Sequence, residues 1–236
     1  MHIIFGNFGN ETIALMQFAF EKKLQNVFVV SIDTGFADEN WYIRISQAEN
    51  LAKQYHFNWI RLTSNPDFST LIRQRQQFPS KKFQWCVSFL KGITINAWLD
   101  EIDSDKEAIL LQGKRKSTSK LFRDLNEFEH DSEYYDGRSI WYPLLDLNDQ
   151  AFKDLVLKSG LEILSHRSLE CDPCIHSSSA DFARLSQTSI NRVKILEQEL
   201  KQNFFALPIE AEIKNKSAPA SQTFHLGCGS PYVCGE

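Results

Sequence analysis

No run of about 18 uninterrupted apolar residues occurs in the chain, so no membrane-spanning helix is expected. The first residues enter an apolar segment without a basic n-region or a long hydrophobic h-region. Export is therefore not expected, and a cytoplasmic location is. Charge of one sign is scarce in net: 26 Lys and Arg against 30 Asp and Glu leave −4. That gives no general pull toward nucleic acid or an anionic membrane, although a local basic patch stays open. Cysteine is sparse and odd in number, five in 236 residues. This argues against a disulfide scaffold and for thiols kept reduced as metal or redox groups. The chain also lacks G-x-x-x-x-G-K-[ST], G-x-G-x-x-G, H-E-x-x-H and any Ser/His/Asp order, which removes support for a kinase-type P-loop and for hydrolases.

What is present is patterned. Apolar residues make up 42% of the chain, enough to fill the core of one large domain. Strands are expected at His2–Phe5, Asn26–Ile32, Phe57–Leu62, Ala108–Leu111 and Ile140–Tyr142. The second is β-branched-rich and continuous, the mark of a strand buried on both faces. Helical spacing recurs over residues 12–23 and over Asp38–His56 (Trp41, Ile45, Ala48, Ala52), near Phe68–Gln77, over Cys86–Leu99 and over Asp149–Lys158. Further amphipathic stretches run Ser178–Gln187 and Ser189–Phe204. Residues 113–138 are polar and without period, and read as a long functional loop. Alternation of strand and helix predicts βαβ units, hence an α/β, doubly wound, mostly parallel sheet. A helical, cysteine-bearing extension follows. Residues 1–216 read as one domain, and 217–236, rich in Ser, Pro and Gly, as a flexible tail.

Four segments carry chemistry. Gly6-Asn7-Phe8-Gly9-Asn10-Glu11-Thr12 is a turn from the first strand into a helix, where free backbone N–H groups and the positive helix end make an anion site. Asp33-Thr34-Gly35 ends the second strand, the position at which doubly wound sheets bind ligands. Asp33 suits a ribose hydroxyl or a metal-bound phosphate there. Gly113-Lys114-Arg115, with Ser117, Ser119 and Arg123 near, follows the fourth strand, and an arginine fork matches phosphate or sulfate. Cys171-Asp172-Pro173-Cys174 has the spacing of a metal site, a cluster or a redox dithiol, and these stay open. Cys86 is expected to start a helix whose dipole would stabilise its thiolate. Cys228 and Cys234 lie in the tail, and His176 is a spare ligand beside Cys174.

Together these pieces resemble the phosphoadenosine-phosphosulfate (PAPS) reductase family of the PP-loop adenine-nucleotide alpha-hydrolase superfamily. Asn7 through Thr12 resembles its S-x-G-x-D-S loop, with Asn7, Glu11 and Thr12 replacing Ser, Asp and Ser. Asp33-Thr34-Gly35 matches its D-T-G, and Trp85-Cys86 with Lys91 resembles a segment bearing a cluster cysteine. Gly113-Lys114-Arg115 with Ser119 resembles G-x-R-x-x-x-S. Pro143-Leu144-Leu145-Asp146 resembles P-L-x-D/E-W, with Leu147 for Trp. Arg167 through Cys174 resembles R-x-G-C-x-x-C, with Glu170 for Gly. The resemblance implies an adenine-nucleotide substrate (ATP, APS or PAPS) bound by Asn7–Thr12, Asp33–Gly35, Gly113, Arg115 and Ser119. It implies sulfur chemistry, foremost sulfonucleotide reduction by a Cys234 nucleophile, with Arg115 and Arg167 neutralising the leaving nucleotide. The cysteine pattern also resembles relatives that move sulfur in nucleic-acid modification. There Cys86, Cys171 and Cys174 would hold an iron–sulfur cluster (4Fe-4S), with Cys228 as a candidate fourth ligand or the fourth iron position left open for sulfur. A loss of turnover, leaving a nucleotide- or cluster-binding module, is the third reading. A thiol reductant such as thioredoxin or a sulfur donor, nucleic acid, and further copies of the chain in a homo-oligomer are the expected partners.

Overall fold

The structure, a computed structural model, describes residues 1–216. The readings of 217–236, including Cys228, Cys234 and the tail, lie outside the described residues. Six strands form one sheet in the order β3-β2-β1-β4-β6-β5. They are β1 (His2–Phe5), β2 (Val27–Asp33), β3 (Asn58–Thr63), β4 (Ile109–Leu111), β5 (Phe128–Glu129) and β6 (Ser139–Trp141). All neighbours pair in parallel except β5, which runs antiparallel to β6. β1 is central: Ile3 registers with Phe28 on one side and Leu110 on the other. The chain winds outward from β1 through β2 to β3, then returns to start β4 on the opposite side. The carboxyl ends of β1 and β4 therefore flank the switch point, where open α/β sheets hold ligands.

Helices cover both faces because β1 and β2 are apolar on both. Helices α1 (Asn10–Glu21), α2 (Trp41–Gln54) and α5 (Asp149–Lys158) pack on one side around Ile4, Ile13, Val29, Leu51 and Leu155. Helix α4 (Ile93–Ile102) covers the other through Ile95 and Leu99, against Ile3, Val30 and Leu110. Buried Arg138 ties that face together, donating to the Asp103 carboxylate at 2.7 Å and to the Asp103 carbonyl at 2.7 Å. A third cluster joins α3 (Phe68–Arg75), α6 (Ser179–Phe182), α7 (Gln187–Leu200) and α8 (Ile209–Lys216) around Phe36, Trp85, Cys174 and Phe204. The C-terminal extension is thus built on the cysteine loop.

Three local expectations change. The helix expected from Cys86 opens as a π-helical turn, Val87–Gly92, before α4. Such wide turns are rare and concentrate at functional sites. The helix expected over Ser178–Gln187 is only the four residues of α6, opened by a reciprocal Ser178–Asp181 capping box, before the chain restarts at the Ser186 cap. The loop 113–138 contains β5 and two short 3-10 turns, Lys120–Phe122 and Glu133–Tyr135.

Candidate functional site

The first lip of the site is the turn between β1 and α1. Phe8 adopts φ +58°, a left-handed conformation that is costly for a bulky residue. It is held by burial of its ring, stacked on Trp59 at 5.0 Å, and by Arg44, whose Nε donates to the Phe8 carbonyl at 3.2 Å. The Asn7 side chain closes the turn, accepting from Gly9 N–H at 3.0 Å and from Thr12 Oγ1 at 3.3 Å. Gly9, the N-cap of α1, has no side chain to cap the helix. Glu11 stands in the first turn with its carboxyl folded back: a Cβ on Gly9 would lie 3.4 Å from Glu11 Oε2. Burial raises the Glu11 pKa, against the opposing pull of its own backbone N–H and of Arg115. A carboxylate at a helix N-terminus fills the place of an anionic ligand. Asn10 plays a different part from the one its position in the turn suggests. Its amide pairs with the backbone of Leu164 twice, each bond 2.9 Å, and is buried in doing so.

The second lip follows β4. A Cβ on Gly113 would meet Glu11 Cβ at 2.7 Å, so only glycine lets this strand end lie against α1. Arg115 is buried, stacks over Phe152 at 4.0 Å and donates to Asp149 at 2.7 Å, while its charge reaches Glu11. Ser119 caps the Lys120–Phe122 turn by accepting from Leu121 N–H at 3.2 Å.

The third part follows β2. Gly35 takes φ +69°, as glycine readily does, and its N–H donates to Asp33 Oδ1 at 2.9 Å. Asp33 Oδ2 accepts from Arg61 at 2.5 Å. Between these turns lies a narrow pocket of about 10 Å³ lined by Gly6, Asn7, Phe8, Asp33, Arg61 and Glu170, room for about one water. Ser31 and Trp41 also line it, both buried, and Ser31 Oγ and Trp41 Nε1 have no hydrogen-bond partner among the described residues. Buried polar atoms are nearly always satisfied, so these two orphans could pair with the polar groups of a ligand in this pocket. The sequence offered one signal for Ser31, a polar residue within the apolar run of β2. Trp41 read only as a core position of α2.

The cysteines adjoin this pocket. Thr34 Oγ1 lies 3.6 Å from Cys171 Sγ. Cys86 packs in the same cluster as Cys174. Its thiol pKa is pushed up to about 12, by burial first and then by the charges of Cys171 and Cys174. Cys171 is pushed up to about 11 by burial, which the charge of Lys91 opposes. Burial thus works against the dipole-lowered thiolate expected for Cys86. Lys91 is buried beside the thiols in an ion pair with Glu170. Arg167 donates to Ser177 Oγ at 3.0 Å, pairs with Asp181 and reaches Cys174. Glu170, which replaces a glycine of the resembling motif, is thus the partner of Lys91 and a wall of the pocket. Three soft thiols flanked by two cations fit the chemistry of an anionic iron–sulfur cluster, and Cys86, Cys171 and Cys174 are the residues that would hold it. As they stand, no three His, Cys, Asp or Glu side chains among the described residues are arranged to grip a metal ion. Among the described residues no helix is long and apolar enough to cross a membrane.

No known family profile matches the chain. An uncharacterized 37.8 kDa protein in the gpa 5′ region of Escherichia phage 186 is 24% identical over 208 residues, a match covering 77% of this chain and 61% of that protein. The chain thus spans less than two thirds of that relative. Among solved structures, a phosphoadenylyl-sulfate (PAPS) reductase from Candida auris, in a phosphate complex, is similar with a TM-score of 0.50 at 14% identity, over 68% of this chain and 73% of that one. The chain has the adenine-nucleotide alpha-hydrolase-like fold. The U34-tRNA thiolase NcsA from Methanococcus maripaludis, solved with its 4Fe-4S cluster, gives a TM-score of 0.47 at 11% identity, covering 100% of this chain and 76% of that one.

Proposed function

We propose that the chain is an enzyme of the PAPS reductase family that binds an adenine nucleotide at the carboxyl ends of β1, β2 and β4 and performs sulfur chemistry at the adjoining cysteines. The observation that carries this reading is the contact between Thr34 Oγ1 and Cys171 Sγ at 3.6 Å, which joins the D-T-G turn directly to the thiol loop. Ser31 Oγ and Trp41 Nε1 then satisfy the edge of the base, Asp33 the ribose, and the N-terminus of α1 a phosphate or sulfate. The pocket holds about one water, so binding requires Arg61 or Glu170 to turn aside.

In its first form the reaction is sulfonucleotide reduction. The Cys234 thiolate attacks the sulfur of APS or PAPS and forms an S–S bond as the S–O bond to the nucleotide breaks. A dithiol reductant of the thioredoxin class then reduces the S-sulfocysteine, releasing sulfite and leaving the reductant as a disulfide. Arg115 and Arg167 offset the charge of the departing nucleotide. A second reading, ATP-dependent sulfur transfer to nucleic acid, is favoured by the convergence of Cys86, Cys171 and Cys174 near Lys91, since a Cys234 nucleophile alone has no need of them. Anaerobic protein given APS or PAPS with a thiol reductant tests the first form. Sulfite release that is abolished in Cys234→Ser supports it, and full activity in that variant removes it. Conversion of ATP to AMP stimulated by RNA or DNA supports the second, and matched iron and acid-labile sulfide would place a cluster with it.

A further inference from the structure

A cavity of about 460 Å³ lies on the far side of the cysteine loop, and the nucleotide site uses none of its walls. Ile175 and Ser177, which follow Cys174, form one wall. Phe78, Pro79, Ser80 and Lys81 form another, and Gln202, Asn203, Phe204, Phe205 and Glu212 close it. Its chemistry is mixed in a particular way. Phe204 and Phe205 meet edge to face at 4.8 Å, and Phe78 packs on Phe204 at 5.1 Å, which supplies aromatic surface. Gln77 and Asn203 are exposed amides, and Gln202 is held in place by donating to the Gln76 carbonyl at 3.2 Å.

The rim is basic and aromatic. Ser80 and Phe83 exchange backbone hydrogen bonds of 3.1 Å, a tight turn that sets Lys81 and Lys82 at its exposed tip. Phe83 is 53% and Phe89 43% exposed. Arg75 lies over both rings, 6.0 and 4.7 Å from their centroids, and over Trp85 at 5.0 Å. Lys201, also exposed, precedes Gln202 on the opposite wall. In a chain of net charge −4, Arg73, Arg75, Lys81 and Lys82 gather in the 73–85 segment, which holds no acidic residue, although Arg73 is paired with Glu199 and Glu212 is a carboxylate among the cavity walls.

Cations that follow a phosphate backbone, exposed rings on which bases stack, and amides that read base edges are the parts of a single-strand nucleic-acid site. A deep aromatic cavity behind them suits one base taken out of the stack. We propose that this surface binds single-stranded nucleic acid, with the backbone along Lys81, Lys82 and Lys201 and one base lodged in the cavity against the half-buried Phe205, beside Ile175 and Ser177, which follow Cys174. This deepens the sulfur-transfer reading by giving it an acceptor surface, and binding is measured apart from any turnover.

The test is fluorescence anisotropy of a labelled 12-nucleotide single strand of mixed sequence, as DNA and as RNA, with the full chain at about 50 mM salt, where backbone contacts are strong. Saturable binding of either strand is expected. Lys81→Glu/Lys82→Glu should weaken it at least tenfold and flatten its salt dependence by about two phosphate contacts. Phe205→Ala should weaken it by about tenfold at every salt concentration. Because Phe205 also packs on Phe182, Asn203→Ala serves as a second variant outside the packed core, with a several-fold loss expected. ATP titration of the same variants should give wild-type affinity, so that loss here is separable from failure of the nucleotide reading. Absence of saturable binding by folded wild-type protein, unchanged affinity in the charge-reversal and Asn203→Ala variants, or duplex bound as tightly as single strand would each overturn the proposal.

Discussion

Replacing Gly113 by alanine puts one carbon into the seam between the two lips of the proposed nucleotide site. The added Cβ would sit 2.7 Å from Glu11 Cβ and 3.5 Å from Glu11 Cα. Optimal carbon–carbon separation is about 3.5–4.0 Å, so the end of β4 and the first turn of α1 must part by roughly 0.8 Å or more. Gly113 has no positive φ, which leaves contact rather than backbone strain as the cost. Overpacking of this kind costs about 1–3 kcal/mol, or a fall of about 2–12 °C in melting temperature for a chain of this size. Calorimetric melting reads the stability, and titration with ATP or APS should show a loss of affinity beyond it, because the same displacement spreads the turn proposed to hold the anion. Glu11→Gly removes the offending Cβ on the other side. The Gly113→Ala penalty should therefore shrink in that background, a coupling that a double-mutant cycle measures. A melting temperature and a nucleotide affinity both unchanged by Gly113→Ala would refute the idea that these lips meet at the site.

Three further outcomes follow from the same geometry. Asn10→Ala should cost about 2–4 kcal/mol in chemical denaturation, since it orphans the buried N–H and C=O of Leu164, and should leave any remaining nucleotide affinity near wild type. Glu11 has its pKa raised by burial above its ordinary value of 4.5; the folded state binds the proton more tightly than the unfolded chain, so this residue's contribution to stability falls as pH rises through that window. Glu11→Gln should therefore gain stability over wild type as pH rises above the ordinary carboxylate range, and should bind inorganic phosphate or nucleotide more tightly at neutral pH; equal melting curves at all pH values would contradict this. Lys91→Met should destabilise by about 3–5 kcal/mol because it leaves the Glu170 carboxylate without its partner, and Lys91→Met/Glu170→Met should recover most of that loss.

The fold was legible where burial imposes a simple period. The continuous apolar runs of β1 and β2 and the matched ends of α5, expected and found at Asp149–Lys158, follow directly from residue pattern. The sheet edge was not, because β5 is two residues long and no periodicity can be read from two residues. The π-helical turn at Val87–Gly92 was hidden because its apolar spacing passes for an ordinary helix. At the site, chain order and family resemblance pointed to the turn residues and to Cys86, Cys171 and Cys174, whose thiols influence one another electrostatically, although no three His, Cys, Asp or Glu side chains among the described residues are placed to grip a metal ion. Side-chain direction was not legible: Asn10 turns to Leu164, Ser119 caps a local turn, and burial works against a Cys86 thiolate. Glu170 was read only as a departure from a motif, since nothing in sequence places it against Lys91, 79 positions away.

The central claim, an adenine-nucleotide site joined to a cysteine centre, is tested most directly by calorimetric titration of anaerobically purified protein with ATP, APS and GTP, repeated on Trp41→Phe. The account predicts saturable binding of an adenine nucleotide, no comparable binding of GTP, and a several-fold weaker adenine affinity once the Trp41 N–H is removed. Folded protein that binds no adenine nucleotide, or that binds ATP and GTP alike with Trp41→Phe indistinguishable from wild type, would contradict it.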